Sequence, residues 1–225
     1  MEQSHIHSKP AVNTEKNVYD TFARIISDIA NPLLIPVWVV LATGLIMDIP
    51  SLRLGLITVS AGIFFTLIPF GVVMYQLKNG KIGSLDVPDR KNRSRLFVYS
   101  IMSTTVGSLL IFLLSFSNYQ FLATVSVVFL LNPIIAYFLN LVYKISIHTA
   151  AVSTAGILFI MLQGSVAGIG IPVLGFSLFM LLVLLPLMFW ARYRLGIHTI
   201  PELVWGSTAG IVLTLVISGV MQTIL

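Results

Sequence analysis

Seven long apolar runs decide what this chain can become. They cover about Asn31–Met47, Leu54–Leu77, Leu96–Phe116, Phe121–Val142, Thr149–Ala167, Ile171–Ala191 and Glu202–Leu225. A helix needs about 20 mostly apolar residues to cross the hydrocarbon core of a bilayer. A membrane β-barrel strand would instead alternate in short segments of about ten residues. These runs are continuous, so helices are expected. Only 9% of the 225 residues are charged and 57% are hydrophobic, against roughly 25% charged in an ordinary soluble domain. That balance excludes a soluble globular enzyme, a disordered chain and a nucleic-acid-binding module. The expected fold is all-α: a multi-pass transmembrane helical bundle of about seven spans. An amphipathic lead-in precedes it, with Val18, Phe22, Ile25, Ile26 and Ile29 on one face. Asn132-Pro133 predicts a kink inside the fourth run.

Residues 1–17 read as a polar tail and residues 18–225 as a single transmembrane domain, with no internal repeat. The tail lacks an early apolar core, so no cleaved signal peptide is expected. No cysteine is present, which removes disulfides, thiolate metal sites and a cysteine nucleophile. The basic residues are distributed very unevenly among the links. Twelve of the thirteen Lys and Arg fall in the tail, the lead-in, and the stretches around Lys78–Arg95, Tyr143–His148 and Arg192–Pro201. Only Arg53 falls on the other side. The positive-inside rule places the first set, and the N-terminus with it, in the cytoplasm.

The same rim collects the polar chemistry. His148 lies in Lys144-Ile-Ser146-Ile-His148-Thr149, at the entry to the fifth run. His198 lies in Arg192-Tyr-Arg-Leu-Gly-Ile-His198-Thr-Ile-Pro-Glu202, at the entry to the seventh. A third cluster, Asp86-Val-Pro-Asp89-Arg90-Lys-Asn-Arg93-Ser-Arg95, precedes the third. All three clusters open helices that start from one face, and helix N-termini present unpaired N–H groups to anions. Two histidines, several arginines and a serine in such a place point to phosphate chemistry.

The spacings Arg192-x5-His198-x3-Glu202 and Ser146-x-His148 resemble the third and second motifs of the type-2 phosphatidic acid phosphatase superfamily, Ser-Arg-x5-His-x3-Asp and Pro-Ser-Gly-His. The first motif, Lys-x6-Arg-Pro, is matched loosely, with Asp86 in the lysine position and Arg93-Ser94 at its end. The stretch leading from Ile26 to Pro36 is similar to the first span of small bacterial members. Ile145 and Ile147 stand where the second motif has proline and glycine, and Glu202 stands for aspartate. The resemblance implies an integral membrane lipid phosphatase acting on a phosphomonoester or diphosphate lipid. His198 would be the nucleophile, giving a phosphohistidine. Glu202 would orient His198, and His148 would serve as acid and then base. Arg192, Ser146, Arg93, Arg90 and Lys144 would bind phosphate. No metal and no cofactor are implied. The expected partners are a lipid phosphate substrate and membrane lipids, with no nucleic acid.

Plainer roles exist for the same residues. Thr199-Ile-Pro-Glu202 is also a capping box with proline just inside the helix, and Ser146 or Thr149 can cap the fifth span. Two other functions compete. One is a catalytically degenerate relative that binds a lipid phosphate without cutting it. The other is a UbiA-type prenyltransferase, because Asp86-Val-Pro-Asp89-Arg90 is similar to one of that family's two magnesium-diphosphate motifs.

Overall fold

In a computed structural model, the described residues are 18–83, 90–116, 118–165 and 171–225. For residues 90–93, 165, 171 and 172 the description is of the backbone alone. Among the described residues the architecture is entirely helical. Helix α1 (Val18–Ile29) is followed by a short α2 (Ile35–Ile46). Helices α3 (Ser51–Ala61) and α4 (Ile68–Lys78) form one rod, joined by a π-helical turn over Gly62–Leu67. Then come α5 (Arg90–Ser115), α6 (Gln120–Val142) and α7 (Ile147–Ser165). Helices α8 (Ile171–Leu178) and α9 (Leu185–Arg194) form a second rod around a π turn at Phe179–Leu184. Helix α10 (Ile200–Ile224) ends the fold.

Six of these units are long and apolar enough to cross a membrane: Ser51–Lys78, Ser94–Ser115, Gln120–Val142, Ile147–Gly164, Val173–Arg194 and Ile200–Ile224. The first expected span, Asn31–Met47, differs. Its helix is only the 12 residues of α2, about 18 Å long at 1.5 Å per residue. Asn31-Pro32 delays its start, because proline disfavours helical backbone in the residue before it. Thr66, near the middle of the first rod, donates to the Leu33 carbonyl at 2.6 Å. Helix α2 therefore begins about halfway along that rod.

Both π turns precede a proline, Pro69 and Pro186. Proline withdraws an N–H and presses on the carbonyl four residues back, and a wider turn relieves that pressure. The Phe64 carbonyl in the first π turn accepts from Ser103 Oγ of α5 at 2.7 Å. Helix α6 is assigned as one helix through Pro133. Asn132 beside it donates to Thr154 Oγ1 (3.0 Å) and Thr214 Oγ1 (3.3 Å), tying α6 to α7 and α10.

Large apolar side chains point outward from every rod, among them Leu52, Leu113, Leu182 and Val216. Small and hydroxylic ones, such as Ser108, Ser126, Ser153, Ser177 and Ser218, are buried between helices. Lipid is as apolar as leucine, so helices in a bilayer associate through close packing and hydrogen bonds, not through burial of greasy faces. Helix α1 shows the same inversion. Val18, Phe22, Ile25 and Ile29 are exposed, whereas Ala23, Ile26 and Ser27 face the bundle.

The tightest pairing is α7 on α10. A Cβ on Gly206 would overlap the Ser146 carbonyl, and one on Gly210 would overlap Ser153 Oγ and the Ala150 carbonyl. The two glycines, four residues apart, let the backbones touch. Hydroxyls of α7 then donate across the seam to carbonyls of α10: Thr149 to Leu203 (3.0 Å), Ser153 to Ser207 (3.1 Å) and Thr154 to Gly210 (3.4 Å).

Candidate functional site

The α9–α10 connection sets the position of His198. Gly196 has φ +65°, a left-handed conformation that glycine adopts without steric cost. Its N–H donates to Tyr193 O (2.9 Å), and the Ile197 N–H donates to Arg192 O (3.2 Å). These two bonds are a Schellman closure of α9. Helix α10 then opens at Thr199 with Pro201 in its first turn and a Thr199/Glu202 capping box. His198 is left on the short step between the closure and the cap.

Four residues after His198, on the first turn of α10, the Glu202 carboxylate meets its imidazole. Nδ1 of His198 lies 2.9 Å from Glu202 Oε2. The same oxygen accepts from Thr199 N–H at 3.1 Å and lies 3.3 Å from Lys144 Nζ. Lys144 also donates to the Ile197 carbonyl at 2.7 Å. Glu202 is thus both the cap of α10 and the partner of His198. A carboxylate on Nδ1 selects the tautomer with its proton there, leaving the lone pair on Nε2. His198 is 9% exposed. Burial pushes its imidazole down to about 4; Arg192 and Lys144 add to that push and Glu202 opposes it. The ring is therefore neutral near pH 7.

His148 is the second residue of α7. It is partly buried, and its Nδ1 has no hydrogen-bond partner among the described residues. It lies within electrostatic range of Arg192, His198 and Arg24. The glycine seam explains the juxtaposition: it presses the start of α7 onto the start of α10, and the Ser146 N–H donates to the Glu202 carbonyl at 3.0 Å. Arg192 is 3% exposed, and its Nη1 donates to Ser27 Oγ of α1 at 2.8 Å. An open cleft of about 700 Å³ lies against this group, walled by Lys144, Trp190, Arg194, Gly196, His198 and Glu202. His148, Arg192 and Ser146 do not line it.

Of the residues expected from sequence, His198, Glu202 and Lys144 are in direct contact, with His148 and Arg192 beside them. Ser146 is fully buried, and its hydroxyl accepts from the Thr149 N–H at 3.4 Å, the capping position of α7. The side chains of Arg90 and Arg93, and the whole of Asp86 and Asp89, lie outside the described residues. Sequence reasoning missed what α1 brings. Ser27 holds Arg192, Asp20 pairs with Arg194 at 2.8 Å, and Phe22 packs on Trp190 with ring centroids 5.9 Å apart. The visible signal was a hydroxyl and an arginine on the inner face of a helix whose outer face is apolar.

Among the described residues the fold is thus an all-α bundle of six long apolar helices and two shorter ones, with a buried histidine–glutamate pair at one end. Comparison with family models, curated proteins and solved structures finds no match to this chain.

Proposed function

We propose that this protein is an integral membrane lipid phosphatase that hydrolyses a phosphomonoester or diphosphate lipid through a phosphohistidine, without a metal. The observation that carries the reading is the 2.9 Å contact between His198 Nδ1 and Glu202 Oε2, with Arg192 and a second histidine beside it. The lone pair of His198 Nε2 attacks phosphorus, and the bond from phosphorus to the lipid oxygen breaks. His148 gives the leaving oxygen its proton, then removes one from water as that water attacks the phosphohistidine. Inorganic phosphate leaves and His198 is restored. Glu202 stabilises the ring as it gains positive charge, as the carboxylate does in a serine triad. Arg192 offers a planar fork to the phosphoryl oxygens, and Lys144 adds charge at the cleft. Stabilising the charge that develops in the transition state usually lowers the barrier more than any other single effect. The charge bias of the links supports a cytoplasmic location for this rim.

One observation favours a second reading, a relative that binds lipid phosphate without cutting it. Ser146 is committed to capping α7, and Ile147 follows it. Phosphate release from a panel of lipid phosphates in detergent, with chelator present, separates the two. Turnover by wild type, lost in His198→Ala and His148→Ala, supports the phosphatase. Binding without release supports the second reading.

A further inference from the structure

Resting on the phosphate-site reading above, we propose that Arg24 of α1 is a phosphate-binding residue, so that the amphipathic lead-in helix contributes to the site through its contacts with α9. Three contacts fix α1 against α9. Ser27 accepts from Arg192 Nη1 at 2.8 Å, with both residues buried. Asp20 pairs with Arg194 at 2.8 Å. Phe22 packs against Trp190. Arg24 stands one turn before Ser27, and residues three apart on a helix share a side. It is flanked on that inner side by the buried Ala23, Ile26 and Ser27, and is itself partly buried. The register that puts Ser27 on Arg192 therefore brings the Arg24 guanidinium toward the same rim. Arg24 and Arg192 both lie within electrostatic range of His148.

Chemistry gives that charge a purpose. A phosphomonoester carries about two negative charges near pH 7, and its oxygens are best met by planar guanidinium forks. His198 is neutral there, and Lys144 is already committed to Glu202 and the Ile197 carbonyl. Arg192 alone leaves the phosphate undercompensated. Arg24 supplies a second fork from α1. Arg192 also ties α9 to α1 through Ser27.

The test uses the full-length protein in detergent with two probes, inorganic phosphate and a lipid phosphate in mixed micelles. Binding, phosphate release and melting temperature are measured for wild type, Arg24→Gln, Arg24→Lys and the opposite-rim control Arg53→Gln. Arg24→Gln is expected to weaken binding of both probes by about 10- to 100-fold. Arg24→Lys should recover part of that loss, and Arg53→Gln should match wild type. Equal binding by wild type and a folded Arg24→Gln overturns the proposal. If Arg24→Gln does not fold, Arg24→Lys decides, and wild-type affinity there overturns it. Phosphate binding by wild type without release, lost in Arg24→Gln, keeps Arg24 in the site and refutes only catalysis. A wild type that binds neither probe refutes both.

Discussion

Substituting Gly206 by alanine tests how the two histidines are brought together. The added Cβ would overlap the Ser146 carbonyl and lie 2.5 Å from Thr149 Oγ1. Backbone cannot swing aside as a side-chain tip does, so α7 and α10 must separate. Overpacking of this kind costs about 1–3 kcal/mol. Stretching the Thr149–Leu203 and Ser153–Ser207 bonds adds about 0.6 kcal/mol each on the scale measured between membrane helices. Alanine's better helix propensity returns up to about 1 kcal/mol. The net loss is about 1–3 kcal/mol, or a fall in melting temperature of roughly 3–10 °C at this chain length. Gly71 is the control, since a Cβ there meets nothing within 4 Å; Gly71→Ala should be neutral or slightly stabilising. The assay is thermal unfolding in detergent, followed by circular dichroism. Phosphate release from folded Gly206→Ala at low temperature should also fall, because a displacement of about 1 Å can cost about a hundredfold in rate. If Gly206→Ala melts and turns over like Gly71→Ala, the seam does not set the spacing of His148 and His198.

Other expectations concern the site itself. Glu202→Gln keeps an acceptor for the Thr199 N–H but removes the charge that orients His198, so phosphate release should fall by about 10²–10⁴-fold while the melting temperature barely moves. The pH dependence has a definite sign. His198 is held at about 4 in the fold against 6.5 for an unperturbed imidazole, so the unfolded chain binds the extra proton first. The contribution of neutral His198 to stability is complete above pH 6.5 and is lost as pH falls from 6.5 toward 4. It amounts to about 3 kcal/mol, and His198→Gln should flatten that part of a stability–pH profile. Sidedness is open to labelling. In intact cells a membrane-impermeant thiol reagent should reach cysteine at Ser117→Cys and not at Ser84→Cys; the reverse pattern places the site outside the cytoplasm.

Much of the bundle was legible because bilayer physics writes it in plain form. Six of the seven apolar runs are long helices, and the run after Asn31 falls short for a local reason, the Asn31-Pro32 start. The His198–Glu202 contact was legible too, through the His198-x3-Glu202 spacing of the resembled motif, although His198 itself stands just before the cap of α10. The two readings of Glu202, cap and histidine partner, prove compatible, because one oxygen serves both Thr199 and His198. What the sequence concealed was long-range. Ser27 and Arg192 are 165 positions apart, and nothing in either segment announces the other. Gly206 and Gly210 were visible, yet their fit against Ser146 and Ala150 depends on the register of two separate helices. The π turns before Pro69 and Pro186 needed backbone geometry to appear, although the prolines stood in the open.

The identity of the nucleophile is tested most directly by rapid-quench trapping with a lipid substrate labelled in its phosphate, in the presence of chelator. An acid-labile phosphoryl group is expected on His198, absent in His198→Ala and longer-lived in His148→Ala, where water is no longer activated. Turnover with no trapped phosphoenzyme, or a label that persists in His198→Ala, would contradict the assignment.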